Sequence, residues 1–352
     1  MKILISTVEG LEDIALKELK ELVKLKELKL SIKSKLIMEV KDINDYYKIC
    51  YLSRSINQSN ILITKFNFKT SDDIFNKVKN LNIELKDTFK VSCNRLGNHD
   101  FNSQFIAAKS ANILREKYNK NPDLKTPQTI IQIDIINSTC LISLDLIKER
   151  LSKRFYKIKT SLHDINSTIA YSLVQLSKYE VKKSLLTLYS GNSTIAIEAA
   201  LFANNIPINQ LNNSIIPDNI KQHKKDNKKL TIYSVDDKSF NIHNSQVNAK
   251  VANVEDKIKF FTSLNIKDKF DIIIANIPVP SKRIPEIKIA EEYNYLFREI
   301  KKLSKKTTII LFLTSKTSLI TKKAKEYKFK IKAIKKLKVG DLDYTICSLK
   351  IN

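Results

Sequence analysis

The chain has 352 residues, 43% of them hydrophobic, which suits two or three folded domains. No run approaches the ~18 apolar residues of a membrane span, and the start Met1–Ser6 is interrupted too soon for a secretory signal, so a cytoplasmic protein is expected. A net charge of +25 favours a polyanionic partner, nucleic acid first, while four dispersed cysteines and four scattered histidines argue against a disulfide framework or a zinc site.

Residues 1–66 read as a small α+β unit with a β-α-β-β-α-β order. Strands are expected at Ile3–Thr7, Ser34–Glu39 and Ile61–Phe66, and helices at Glu12–Lys24 and Ile43–Ser53. Residues 67–146 form a second α+β unit. It has helices at Asp72–Val78 and Gln104–Tyr118, a strand at Thr88–Asn94, and a hairpin of Thr129–Ile135 with Cys140–Leu146 turning at Asn137-Ser138. Residues 147–180 read as a bridge. From Lys183 onward strands alternate with helices, which argues for a doubly wound, mostly parallel α/β sheet ending in an antiparallel hairpin through Gly340. The polar stretch Asn204–Leu230 reads either as a solvated insertion or as a basic loop lying on phosphates.

Three short segments carry candidate chemistry. Arg95, His99 and Ser103 cluster at a strand-to-helix junction, where a cation and a helix N-terminus can hold a phosphate; Ser103 could equally cap the helix. Leu185–Tyr189, Ser190-Gly191-Asn192-Ser193 and Thr194 form a strand, a tight passage and a helix start. Phe270–Ala275 leads as a strand into Asn276-Ile277-Pro278-Val279-Pro280, with Lys282 and Arg283 just beyond.

With these segments in this order the chain resembles the THUMP-domain RNA methyltransferases, in particular the archaeal branch acting on guanosine N2 in tRNA. Arg95, Gly97, His99, Phe101 and Ser103 match an Arg-x-Gly-x-His-x-Phe-x-Ser stretch. Arg154 and Tyr156 match an Arg-Gly-Tyr pattern, with Phe155 at its glycine. The passage after Leu185 is similar to the family's Asp-Pro-Phe-Cys-Gly-Ser-Gly-Thr loop. Gly191 and Thr194 are kept; Thr187 stands at the aspartate, Asn192 at the serine and Ser193 at the second glycine. Asn276 and Pro278 are kept from Asn-Pro-Pro-Tyr-Gly, with Val279 at the aromatic and Pro280 at the glycine.

The resemblance implies a ferredoxin-like domain at 1–66, a THUMP RNA-binding domain at 67–146, a linker at 147–180 and a Rossmann-like methyltransferase domain at 181–352. It implies S-adenosylmethionine held by Gly191, Thr194, Asp236 and Asp237, with Asp236 preferred for the ribose hydroxyls. The amine would be presented at Asn276 and Pro278, and RNA, the tRNA acceptor end, would lie on Arg95, His99, Ser103 and Arg154. The departures at Thr187, Ser193, Val279 and Pro280 leave an alternative: an inactive methyltransferase-like protein that binds tRNA or partners an active enzyme.

Overall fold

The computed structural model describes residues 1–24, 27–161, 164–208, 216–282 and 284–351. The first unit runs β1 (Lys2–Ser6), α1 (Glu12–Leu22), β2 (Glu27–Ile32), β3 (Lys35–Glu39), α2 (Ile43–Leu52) and β4 (Gln58–Asn67). Its strands lie in the order β2-β3-β1-β4, all antiparallel. Ile14, Ala15 and Leu19 give α1 its buried face, and the Asp42 carboxylate accepts from the Asn44 and Asp45 amides to start α2. Strand β2 was not expected separately, although Leu28, Leu30 and Ile32 alternate with polar residues at the period of a strand.

The second unit continues with α3 (Ser71–Lys79), β5 (Thr88–Leu96), α4 (Ser103–Tyr118), the two-residue β6 (Asn121–Pro122), β7 (Thr129–Ile136) and β8 (Thr139–Asp145). The β7–β8 hairpin turns at Asn137-Ser138, with Asn137 at φ +50°. Strand β8 pairs with β4, so both units share one eight-stranded sheet, β2-β3-β1-β4-β8-β7-β5-β6.

After α5 (Ser167–Leu176) come β9 (Leu185–Leu188), α6 (Thr194–Ala203), α7 (Asp218–Lys221), β10 (Ile232–Val235), α8 (Ser239–Val251), β11 (Ile258–Phe261) and β12 (Phe270–Asn276). The chain ends with α9 (Glu286–Leu303), β13 (Ser304–Thr314), α10 (Thr317–Glu326), β14 (Phe329–Val339) and β15 (Leu342–Ile351). The sheet order is β11-β10-β9-β12-β13-β15-β14, with β15 antiparallel between β13 and β14. Strand order reverses between β9 and β12, which opens a crevice beyond their C-terminal ends. No helix among the described residues is long and apolar enough to cross a membrane.

Several joints hold the halves together. The stretch read as a solvated insertion sends Ile208 and Ile216, 3% and 2% exposed, into the core built by Ile3, Leu19 and Ile49, and Ile220 packs against it. It is thus a strap between domains, with its lysines Lys224, Lys225, Lys228 and Lys229 outside; residues 209–215 lie outside the described residues. In the bridge, Ile147 and Leu151 join that same core, while Tyr156 and Ile165 join the core under β9.

The third joint is Gly10. Its neighbour Glu9 pairs with Lys338, and at φ +94° a Cβ on Gly10 would lie 2.1 Å from the Lys336 carbonyl oxygen of β14. Gly10→Ala is therefore expected to cost more than the roughly 1–3 kcal/mol of positive-φ strain alone, read as a lower urea midpoint. A wild-type midpoint would refute the close approach.

Candidate active site

The passage after β9 alternates in handedness, with Tyr189, Gly191 and Ser193 at φ +49°, +53° and +57°. Left-handed backbone disfavours a side chain, yet Ser193 keeps the glycine-like conformation. Its hydroxyl sits in a buried chain. Ser193 Oγ donates to Ser245 Oγ at 2.7 Å, and Ser245 Oγ shares its one proton between the Asn241 carbonyl at 2.8 Å and the Gly191 carbonyl at 3.0 Å. Ser234 Oγ lies 2.7 Å from Ser193 Oγ and accepts from Thr187 Oγ1 at 3.0 Å. Since Ser193 spends its proton on Ser245, Ser234 must donate to Ser193. Thr187 and Ser193, two departures from the expected motif, are thus linked to each other through Ser234.

Each such bond contributes about 1 kcal/mol, enough to offset much of the strain at Ser193. Ser193→Ala keeps the strain and loses the bonds, so a loss of roughly 1–3 kcal/mol is expected in urea unfolding. Ser193→Gly should lose less, because glycine releases the strain. The reverse ranking would refute this balance.

Asp236 ties the passage to the next strand. Its Oδ2 accepts from the Gly191 amide at 2.8 Å, and its Oδ1 accepts from Lys238 N at 3.2 Å and Asn241 Nδ2 at 2.8 Å. Asp236 is 6% exposed, whereas Asp237 is exposed. Asp236, the residue preferred for the ribose hydroxyls, thus braces the loop through its oxygens, and its neighbour Asp237 is the carboxylate that faces solvent. Thr194 is 1% exposed and seats the first turn of α6 instead of lining open space.

The bridge forms one wall. Asn192 Nδ2 donates to the Lys159 carbonyl at 3.0 Å and to Asp164 Oδ2 at 3.1 Å, and Asn248 clasps both the amide and the carbonyl of Lys159. Two buried groups here, Ser190 Oγ and Asn192 Oδ1, have no partner among the described residues. A Cβ placed on Gly191 would meet nothing nearer than Asp164 Oδ1 at 3.9 Å. Unsatisfied polar atoms beside an open glycine, with Asp237 close by in sequence, suit a polar ligand with hydroxyl groups.

Strand β12 places Asn276 next to this passage, because Ala275 registers with Leu188. Asn276 is half-buried, Pro278 and Val279 are half-buried, and Ile277 is in the core. Two consecutive residues of α9 grip the two motifs. Tyr189 Oη donates to Glu292 Oε1 at 2.6 Å, and Tyr293 Oη donates to the Pro278 carbonyl at 2.7 Å. Burial, with Glu292 beside it, pushes the Tyr189 phenol up, and burial does the same to Tyr293, so both stay protonated donors. Sequence reasoning missed Glu292 and Tyr293, which carry no local motif. Asp271 lies at the opposite end of β12, bonded to Ser184 and Lys305. Lys282 is exposed, and Arg283 lies outside the described residues.

The second unit gathers a separate cluster. Arg95 Nη1 donates to the Gly97 carbonyl at 3.1 Å and lies 3.1 Å from His99 Nδ1, while His99 Nε2 lies 2.8 Å from the Asn137 carbonyl. A carbonyl can only accept, so His99 carries its proton on Nε2 and offers Nδ1 to Arg95. The imidazole stacks against Phe68 and Phe101, at 5.9 and 5.0 Å between ring centroids. Arg95 is exposed, and the helix α4 begins at Ser103. Asn102 caps that helix by accepting from Phe105 N at 2.8 Å, so Ser103 does not.

Arg154 is not part of that surface. Its side chain is fully buried, as is that of Glu198, with Nε 2.8 Å from Glu198 Oε1. Its remaining donors reach the carbonyls of Leu151 and, at 2.7 Å, Arg54, and Tyr156 Oη donates to Glu198 at 2.8 Å. Arg54 in turn donates to the carbonyls of Leu201 and Ile206, and its own amide donates to Glu18. The expectation that Arg154 touches RNA is replaced by an inter-domain tie, because every face of its guanidinium is enclosed. Burial works against the Arg154 charge, but Glu198 outweighs it and raises the pKa; for Arg54 burial wins and lowers it.

Against known proteins, residues 154–345 match the RMKL-like methyltransferase domain and residues 68–145 match the THUMP domain. The chain is 26% identical over 316 residues to a protein of Methanocaldococcus jannaschii named tRNA (guanine(6)-N2)-methyltransferase, covering 81% of this chain and 83% of that one. Its fold is similar to that of TrmN from Thermus thermophilus, with a TM-score of 0.78, 18% identity, and 100% and 99% of the two chains covered. It is also similar to SMU.472 complexed with SAH, with a TM-score of 0.82, 18% identity, and 100% and 98% covered.

Proposed function

Because the chain belongs to the RMKL-like methyltransferase domain family, over more than half its length, and carries a THUMP domain, we propose that it methylates guanosine N2 in tRNA with S-adenosylmethionine as donor. The observation that carries this reading is the juxtaposition of the Gly191 passage with Asn276 at the strand-order reversal. The residues present fit the cofactor: Gly191 faces open space, Ser190 and Asn192 hold unsatisfied polar atoms, and Asp237 is free to meet ribose hydroxyls. When bound, S-adenosylmethionine supplies an electrophilic methyl group on a sulfonium.

The protein's part is positioning. The Asn276 side-chain carbonyl accepts from the exocyclic amine and orients its lone pair. Tyr293 holds the Pro278 carbonyl and so fixes the chain just after Asn276, while Glu292 holds Tyr189 beside it. Tyr189 directly follows Leu188, the register partner of Ala275, while Val279, at the motif's aromatic position, cannot stack on a base. The Arg95–His99 cluster and the +25 charge would receive the RNA backbone. The departures at Thr187 and Ser193 are absorbed by hydrogen bonds, which supports the active reading over the inactive one.

Calorimetric titration with S-adenosylmethionine, with and without tRNA, tests the cofactor site. Binding with a micromolar-order Kd is expected. No heat of binding in either condition, with tRNA still bound, would overturn the reading.

A further inference from the structure

The strand that leads into the Gly191 passage brings no carboxylate to the crevice. Thr187 stands at the motif's aspartate, is wholly buried, and spends its hydroxyl on Ser234. Asp236 has both oxygens engaged by the loop and by the start of α8. Asp237 faces solvent just beyond β10. S-adenosylmethionine carries an α-ammonium at its amino-acid end, and a charge taken out of water must meet an acceptor.

The bridge supplies one. Asp164 lies just ahead of α5, and its two oxygens are unequally loaded. Oδ2 accepts from Asn192 Nδ2 at 3.1 Å and from the Ser161 amide at 3.2 Å, with Lys157 Nζ 3.8 Å away. Among the described residues Oδ1 accepts from the Ser161 hydroxyl alone, at 3.2 Å. A carboxylate oxygen has two lone-pair sites, so Oδ1 keeps one to spare. That same oxygen lies 3.9 Å from a Cβ placed on Gly191, in otherwise open space.

The neighbours sharpen the chemistry. Asn192 is 1% exposed and its Oδ1 has no partner among the described residues, so a second acceptor beside Asp164 lacks a donor. The Asp164 and Lys157 side chains are 10% and 14% exposed, so solvent screens them little. Acceptors in surplus, one of them anionic, favour a cationic donor over a neutral hydroxyl. Lys157 gives the same wall a positive charge, which suits the carboxylate borne on the same carbon as the ammonium.

We propose that Asp164, through Oδ1, binds the α-ammonium at the amino-acid end of S-adenosylmethionine. The bridge thereby returns to the crevice the acidic partner missing at Thr187. Asp237 and Asp164 then divide the cofactor, the ribose to one and the amino acid to the other. The inference rests on the S-adenosylmethionine reading and adds a residue that lies in neither motif. The same bridge carries Arg154 and Tyr156 of the inter-domain tie, so the cofactor site and the domain joint share one segment.

The test compares two ligands that differ in one group: S-adenosylhomocysteine and its analogue with hydrogen in place of the α-amino group. Calorimetry on the full chain reads their Kd values for wild type and Asp164→Asn. Asp164→Asn keeps the shape and an acceptor for Asn192 and Ser161, but removes the charge. Wild type is expected to bind S-adenosylhomocysteine roughly tenfold or more tightly than the analogue, the worth of a hydrogen bond between charged groups. Asp164→Asn is expected to bind the two ligands within about twofold of each other, with its affinity for the analogue not lowered. Asp164→Ser, still able to accept from the Ser161 amide, should show the same loss and guards against a failure of Asp164→Asn to fold. If wild type binds both ligands equally, or the variants keep its preference, the assignment is overturned while the cofactor reading stands. An equal loss for both ligands also overturns it, leaving Asp164 as a brace of the loop. If wild type binds neither ligand, the cofactor reading is what falls.

Discussion

Asn276→Ala is expected to lower methyl transfer by at least about a hundredfold while leaving tRNA affinity within about twofold. Removing one preorganised hydrogen-bonding group at a reacting centre typically costs 10²–10³ in rate, and the site offers few substitutes. The residue at the motif's aromatic position is Val279, and the Pro278 carbonyl is already engaged by Tyr293. Asn276 lies at the end of β12, so truncating its side chain leaves the strand pairing to β9 and β13 intact. RNA binding, assigned to the other half of the molecule, should not change. Single-turnover methylation at saturating cofactor separates the two effects. Equal turnover would remove Asn276 from the reaction; a parallel loss of RNA binding would make it part of the RNA surface instead.

The largest stability effect is expected at the buried tie between domains. Arg154 and Glu198 have fully buried side chains, and Arg54 and Glu18 are 5% and 8% exposed. Arg154→Met strands the Glu198 carboxylate without its nearest cation, and breaking a buried pair in this way costs roughly 3–5 kcal/mol. Glu198→Gln leaves Arg154 and Arg54 facing each other with less compensation and should cost a similar amount. The double variant Arg154→Met/Glu198→Leu should recover a good part of the loss, since two apolar side chains tolerate burial better than one unpaired charge. Urea unfolding of the single and double variants measures the coupling. Single losses under about 1 kcal/mol would mean that hydrophobic contact alone holds the halves together.

How much of this could be read in the residues depends on how local the signal is. The β-α-β-β-α-β order of the first unit, the Asn137-Ser138 hairpin and the alternation of strands and helices after Lys183 are short-range patterns, and the structure contains all three. Arg154 shows the limit. Its partners lie 44 residues later, at Glu198, and 100 residues earlier, at Arg54, so nothing around it signals burial. The strap has the same difficulty: Ile208, Ile216 and Ile220 are thinly spread through a polar stretch, and their destination is the core of another domain. At the site, the strands that deliver Gly191 and Asn276 were legible, but the bonds that hold them were not. Ser234 and Ser245 are ordinary residues of a strand and a helix until the fold brings their hydroxyls to Ser193. Glu292 lies 103 residues from Tyr189, and Tyr293 lies 15 residues from the Pro278 carbonyl that it holds.

The proposal of guanosine N2 methylation has one direct measurement. Unmodified tRNA is incubated with the full-length protein and methyl-labelled S-adenosylmethionine, digested to nucleosides, and resolved by mass spectrometry. The expected result is label in N2-methylguanosine, lost with Asn276→Ala. Label in another nucleoside, such as an N6-methylated adenosine, or no label while both cofactor and tRNA are bound, would contradict it.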